Sequence, residues 1–216
     1  MKKTIINIAL VAITSIMPLT NLFAQELKDI ILPAPSKTGG KPLMDALNAR
    51  SSSREFSSKE LTQQELSDLL WAADGINRPE SGKRTAPSAM NWQDMDIYVV
   101  LPSGIFLYMP KENILKLKKA GNYMKNAGKQ DFVENAALNL VFVSDLSKMK
   151  DAKKEDKILY AGIHAGAVTQ NVYLYCASAG LNTVTRRSID IEKLSSIMEL
   201  SSDQVIVLAQ TVGYKP

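Results

Sequence analysis

Cysteine is nearly absent: Cys176 is the only one in 216 residues. A lone cysteine excludes an intrachain disulfide and any multi-cysteine metal centre. It sits among Val172, Leu174, Ala177 and Ala179, the setting of a small buried hydrophobe. Histidine is equally scarce, with His164 alone. A Ser-His-Asp triad would have to use it, as would most zinc sites. There is no Gly-x-Ser-x-Gly elbow and no paired set of metal ligands, so hydrolase and metalloenzyme readings have little to stand on and no metal site is expected. Strong charge of one sign is also lacking. The formal net charge is +4, and two of those charges, Lys2 and Lys3, lie in a segment expected to be removed. No stretch alternates Lys or Arg with aromatics, so nucleic acid is not an expected partner. Internal repeats and a βαβ alternation are missing too, which points to an α+β fold rather than a doubly wound one.

What is present begins with a basic head, Met1-Lys2-Lys3, and a mostly apolar run from Thr4 to Phe23, followed by Ala24-Gln25. That order is the pattern of a secretory signal peptide. Residues 1–24 are therefore expected to be cleaved, leaving a periplasmic or secreted chain with no stable membrane insertion. The competing reading is a membrane anchor. Asn7, Thr14, Ser15 and Pro18 interrupt the run, which is already short for a span. No cysteine follows it, which argues against a lipid anchor.

Residues 25–42 carry Pro33, Pro35, Gly39, Gly40 and Pro42 and read as a coil linking to one domain over 43–216. With 45% hydrophobic residues, that length can bury a core of useful size. Leu43 to Ala49 reads as a helix. Thr62 and Glu65 form a capping box for a second helix that carries Leu66, Leu69, Leu70 and Trp71 and stops near Gly75. Residues 76–94 lack apolar periodicity and read as a functional loop. Residues 96–101 and 105–109, around Pro102-Ser103-Gly104, read as a hairpin. Residues 111–136 read as a Lys-rich amphipathic helix, broken near Gly121 and Gly128, that helps to shape a substrate face. Residues 138–144 form a buried strand, 155–179 a long core helix, 190–200 a short helix and 204–212 the last strand. Gly162 and Gly166 lie inside the long helix, where glycine costs stability and suggests close approach of another group. Gly180-Leu181 ends it.

Three segments hold residue types suited to a phosphorylated, flat ligand. Arg50 and Arg54 are four residues apart and can converge on one anion, with Ser51, Ser52 and Ser53 as neutral donors between them. Arg84 to Asn91 contains small residues that let backbone approach a ring, and Asn91 can both donate and accept. Gly166 to Asn171 and Gly180 to Arg187 place a turn after a helix, with Arg186 and Arg187 adding positive charge. A reduced flavin needs such charge near its pyrimidine end. Read alone, the first two segments read more readily as solvated polar loops, and the third reads equally as a helix cap with surface arginines.

In order, these segments resemble the nitroreductase-like, FMN-dependent oxidoreductase superfamily over about residues 43–216. Arg50-Ser51-Ser52-Ser53-Arg54 is similar to the family's phosphate element. Pro87-Ser88-Ala89-Met90-Asn91 is similar to its Pro-Ser-x-x-Asn loop, and Gln170-Asn171 with Gly180-Leu181 to the helix and turn before the flavin N5 edge. The wording Leu69-Leu70-Trp71-Ala72-Ala73-Asp74-Gly75 looks nearest the branch that includes peptide azoline dehydrogenases. The resemblance implies a mostly antiparallel sheet flanked by helices and a homodimer with FMN at its interface. It also implies hydride transfer between a reduced donor, often NAD(P)H, and a small organic acceptor. Carried over by position, Arg50, Ser51, Ser52 and Arg54 hold the phosphate. Pro87, Ser88 and Asn91 serve the ribityl or ring side, Gln170 lies near the ring, and Thr185 and Arg186 bring backbone donors to N5 and O4. No side chain is named as catalytic, because the flavin carries the chemistry. Tyr108, Tyr123 and His164 are proton-donor candidates that read more readily as structural. The alternative is an exported flavin-binding or interaction protein without turnover.

Overall fold

The computed structural model describes residues 27–216, so the expected signal peptide lies outside the described residues. In chain order the elements are β1 (Ile30–Ile31), α1 (Leu43–Ala49), α2 (Gln63–Asp74), β2 (Ile76–Arg78), β3 (Lys83–Arg84), β4 (Met95–Leu101) and β5 (Gly104–Met109). They continue as β6 (Ile114–Ala120), β7 (Leu138–Asp145), α3 (Lys154–Ala179), β8 (Asn182–Arg186), α4 (Ile191–Met198) and β9 (Gln204–Gly213). Seven strands make one antiparallel sheet in the order β1-β6-β5-β4-β7-β9-β8, and β2 and β3 form a separate small ribbon. The period-two alternation of β4 sends Ile97 and Val99 to one face and Tyr98 and Val100 to the other. On the first face α2 and α3 pack Leu69, Leu70, Val168, Val172 and Cys176 against the sheet. On the second, α4 and two short helical turns bring Leu194, Met198, Met124 and Val133. Helices on both faces explain why β7 is buried at every residue but its last. This is the expected α+β architecture, with the long helix at its centre.

Local signals act where the sequence carries them. The Thr62 hydroxyl accepts from the Glu65 amide at 3.2 Å, and the Glu65 carboxylate accepts from the Thr62 amide at 2.8 Å, closing the capping box. The hairpin forms with Leu101 opposite Gly104 and Val100 opposite Ile105. Helix α3 runs for 26 residues and ends at Gly180, whose φ of 74° is left-handed and suits glycine. A side chain at Gly75 would collide with Trp71, so the stop of α2 requires that residue.

Four expectations differ from the structure. The Lys-rich stretch is not a helix: Ile114–Ala120 is strand β6, with Leu115 and Leu117 turned inward and Lys116 and Lys118 outward. Leu-Lys-Leu-Lys is a period of two, and a helix would have scattered those lysines around its axis. The coil before residue 43 is not wholly irregular, because Ile30–Ile31 pairs with Ile114–Leu115 and Leu32 is buried. Residues 76–94 hold the β2–β3 ribbon and a single helical turn at Ala89–Asn91. The stretch after Gly180 is strand β8, at the edge of the sheet, rather than only a turn.

Candidate flavin site

The Arg50–Arg54 segment leaves α1 and lies along the edge made by β8. Its backbone is tied there by the Ser53 amide, which donates to the Thr183 carbonyl at 3.0 Å, and by the Asn182 amide side chain, which donates to the Glu55 carbonyl at 2.7 Å. Ser52 and the Tyr173 hydroxyl of α3 share a hydrogen bond of 2.8 Å, and the Arg50 guanidinium stacks over the Tyr173 ring at 5.4 Å. The same Tyr173 oxygen accepts from the Thr185 amide at 2.9 Å. Arg50, Ser52, Tyr173 and Thr185 are therefore one corner. Among the described residues neither Arg50 nor Arg54 has a carboxylate within ion-pair reach. Among the described residues the buried Thr185 hydroxyl has no hydrogen-bond partner. The unneutralised Arg50 guanidinium in the same corner as an orphaned hydroxyl fits a phosphorylated ligand. Ser51 and Arg54 are exposed at the rim, and Gln170 is exposed on α3 one turn before Tyr173.

The Pro87–Asn91 loop lies elsewhere, beside the N-terminal half of α3. Pro87 and Asn91 are exposed and Ser88 is half-buried. Its hydrogen bonds converge on Gln93. The Gln93 backbone amide donates to the Ser88 hydroxyl at 3.0 Å, and its side-chain amide donates to the Gly82 carbonyl and to Asn91 Oδ1. Arg84 Nε donates to Gln93 Oε1, and its terminal nitrogen donates to the buried Asp74 carboxyl. Burial pushes the Asp74 carboxyl up to about 7 against the pull of Arg84, and nearby Asp94 and Asp96 push the same way. In the unfolded chain this group releases its proton near 3.8. Its contribution to stability is therefore complete below that value and declines as pH rises to about 7. Asp74→Asn keeps an acceptor for Arg84 and is expected to flatten this decline, which urea unfolding at pH 5 and pH 8 would measure.

Arg186 does not offer its charge to a ligand. The period-two alternation of β8 turns it to the opposite face from Thr185. There it is buried, and its guanidinium donates to Thr211 Oγ1 at 3.0 Å, Asn139 Oδ1 at 2.6 Å and the Ala127 carbonyl at 2.5 Å. Only Arg187 of the pair is exposed. Tyr108 is buried in the core, with burial raising its pKa, and Tyr123 packs against the α4-side cluster. Cys176 is fully buried, as expected, and burial pushes its thiol up. Tyr173 was not among the residues singled out from sequence. Its role depends on Ser52, 121 residues away, and no local spacing announces such a contact.

The sequence pattern of the nitroreductase family matches residues 47–214. The chain belongs to the nitroreductase family. A Methanocaldococcus jannaschii protein assigned to the nitroreductases is 29% identical over 176 residues, covering 77% of this chain and 88% of that one. A Ralstonia eutropha crystal structure, likewise assigned as a nitroreductase, is 42% identical with a TM-score of 0.84, covering 88% of this chain and 90% of the other. The fold alone is shared with the NADPH:FMN oxidoreductase of Vibrio harveyi, at 20% identity and a TM-score of 0.61 over 80% of this chain and 68% of that one. It is shared also with the microcin synthetase McbBCD complex of E. coli, at 17% identity and a TM-score of 0.67 over 95% and 85%. Family membership makes the chain a flavin-dependent oxidoreductase acting on small molecules.

Proposed function

We propose that the flavin is FMN, bound between two copies of this chain, and that the protein moves hydride between a reduced donor and a small organic acceptor outside the cytoplasm. The observation that carries the shared site is the position of the two clusters on α3. The loop is held at His164 and the corner at Tyr173. Nine residues at about 100° each place them on opposite sides of the helix, about 13 Å apart along it. One copy's loop and corner do not converge, so a single flavin that uses both needs a second copy. In that arrangement Arg50, Arg54 and Ser52 hold the phosphate, and Gln170 and the β8 backbone near Thr185 flank the ring. Pro87, Ser88 and Asn91 come from the other copy. The exposed apolar side chains support association: Leu43 is 63% exposed, Met44 73%, Leu159 64% and Ile163 56%. Open space faces Gly162 and Gly166 on the same helix. The bound flavin supplies the hydride chemistry; the chain's own residues grip, orient and shield it.

The absorption spectrum of the purified mature protein, with and without reductant, tests this reading. The expected result is a yellow dimer that releases FMN on unfolding, bleaches with reductant and recovers colour with a quinone or nitroaromatic acceptor. Protein that stays colourless after FMN is added would overturn it. Yellow protein bleached by dithionite but not by NADH or NADPH would exclude a nicotinamide donor. That result accords with export, since nicotinamide cofactors are scarce outside the cytoplasm. Colour that no acceptor restores favours a flavin-binding protein without turnover. Sequencing the N-terminus of the exported protein checks cleavage after Ala24.

A further inference from the structure

One buried polar cluster is left over by this reading. The Ser144 hydroxyl of β7 donates to Asp94 Oδ2 at 2.7 Å, and Asp94 Oδ1 lies 2.6 Å from His164 Nδ1 on α3. His164 Nε2 accepts from the Ala89 amide at 2.9 Å. Because Nε2 accepts, the ring proton sits on Nδ1 and is donated to Asp94. Ser144, Asp94 and His164 are all buried, at 0%, 0% and 3% exposure. With both ring nitrogens engaged, His164 has none left to exchange a proton with a substrate. What the cluster does is reach out of the core and grasp the backbone of one loop.

That loop needs grasping. Met90, Asn91 and Gln93 have φ of 50°, 55° and 47°, left-handed values that are unfavourable for a residue other than glycine. Ala89 begins this strained stretch and lies between Ser88 and Asn91. We propose that His164, backed by Asp94 and Ser144, is a positioning residue of the flavin site, holding residues 87–91 in the shape that presents Ser88 and Asn91 to the ligand. The inference rests on the FMN reading above for its ligand, but not for the tie itself.

Two conservative variants separate positioning from ordinary core packing. His164→Asn keeps an amide within reach of Asp94 but is too short to accept from Ala89. His164→Gln places a carbonyl oxygen near the Nε2 position, where it can accept. Titration of the flavin-free protein with FMN, followed by fluorescence quenching, is expected to show about tenfold weaker binding for H164N, the effect of one lost hydrogen bond. H164Q is expected to stay close to wild type. Amide exchange of residues 89–92 in the flavin-free protein should speed up in H164N and not in H164Q. Equal losses in both variants that track their urea midpoints, or unchanged affinity and exchange in H164N, would overturn the proposal. If the wild type binds no FMN, the functional reading fails, and the exchange comparison still decides whether His164 holds the loop. Should H164N not fold, Ser144→Ala, which removes only the far end of the chain of bonds, is expected to give a smaller change of the same kind. No change in loop exchange there would count against the cluster.

Discussion

Replacing Arg50 with alanine is expected to weaken FMN binding on the order of 100-fold while leaving riboflavin binding unchanged. The guanidinium stacks on Tyr173 beside Ser52, and no carboxylate among the described residues neutralises it. Its charge is therefore available to a phosphate, and a charge-assisted bond of that kind contributes roughly 1.5–3 kcal/mol. Riboflavin has the ring and ribityl chain but no phosphate, which makes it the control that separates a phosphate site from general loosening. Arg50→Lys should recover only part of the loss, because an ammonium lacks the two-pronged geometry. The Arg50→Ala/Arg54→Ala double variant should lose its flavin during purification. Neither arginine is in the core, so the thermal midpoint of the flavin-free protein should hardly move. Equal losses for FMN and riboflavin, or unchanged flavin content in the double variant, would remove the phosphate assignment.

Those elements of the fold that carry their own punctuation were legible in the sequence. The capping box of α2, the Pro102-Ser103 turn between β4 and β5, and Gly180 at the end of α3 are each decided by neighbours a few residues apart. The strands that were missed are decided by partners far along the chain. Ile30–Ile31 is too short to show alternation and becomes a strand only because β6 offers it an edge. Asn182–Arg186 reads as polar because it is itself an edge strand, paired on one side with β9. The misreading of β6 has a different cause. Its period of two is present in Leu115-Lys116-Leu117-Lys118, but it is short, and the lysines and glycines around it give residues 111–136 the look of one charged segment.

The candidate site was legible as ordered pieces and not as a constellation. The Arg50–Arg54 and Pro87–Asn91 segments stand out by residue type, and the structure places both at the surface next to α3. That they lie on opposite sides of that helix follows only once His164 and Tyr173 are seen to be their respective anchors. From sequence His164 reads as a proton donor or a structural residue; its two hydrogen bonds occupy both ring nitrogens and leave the structural role. Arg186 shows how narrow the margin is in a strand: a one-residue step moves a side chain from the corner to the opposite face of the sheet.

That displacement makes Arg186 the strongest stability prediction. Arg186→Ala is expected to cost about 3–5 kcal/mol, because it takes a charged donor from three buried acceptors at once. The Ala127 carbonyl loses its side-chain donor outright, and the fully buried Asn139 Oδ1 and Thr211 Oγ1 each lose a charged donor and keep the bond between themselves. At 2–4 °C per kcal/mol for a chain of this size, the thermal midpoint should fall by about 10 °C. Burial lowers the Arg186 pKa only to about 10, so the group stays charged at neutral pH and its loss removes a charged donor. The backbone is shaped around it as well, since a side chain at Gly128 would collide with the guanidinium; Gly128→Ala should destabilise by the same route. Replacing the polar set together, as Arg186→Met with Asn139→Leu, should recover part of what Arg186→Ala loses, because an apolar pair leaves fewer groups unmet. FMN affinity should stay within a few-fold of wild type in every folded variant, since the side chain points away from the Tyr173 corner. A large loss of affinity without loss of stability would mean that Arg186 reaches the flavin after all, and the strand register would have to be drawn again.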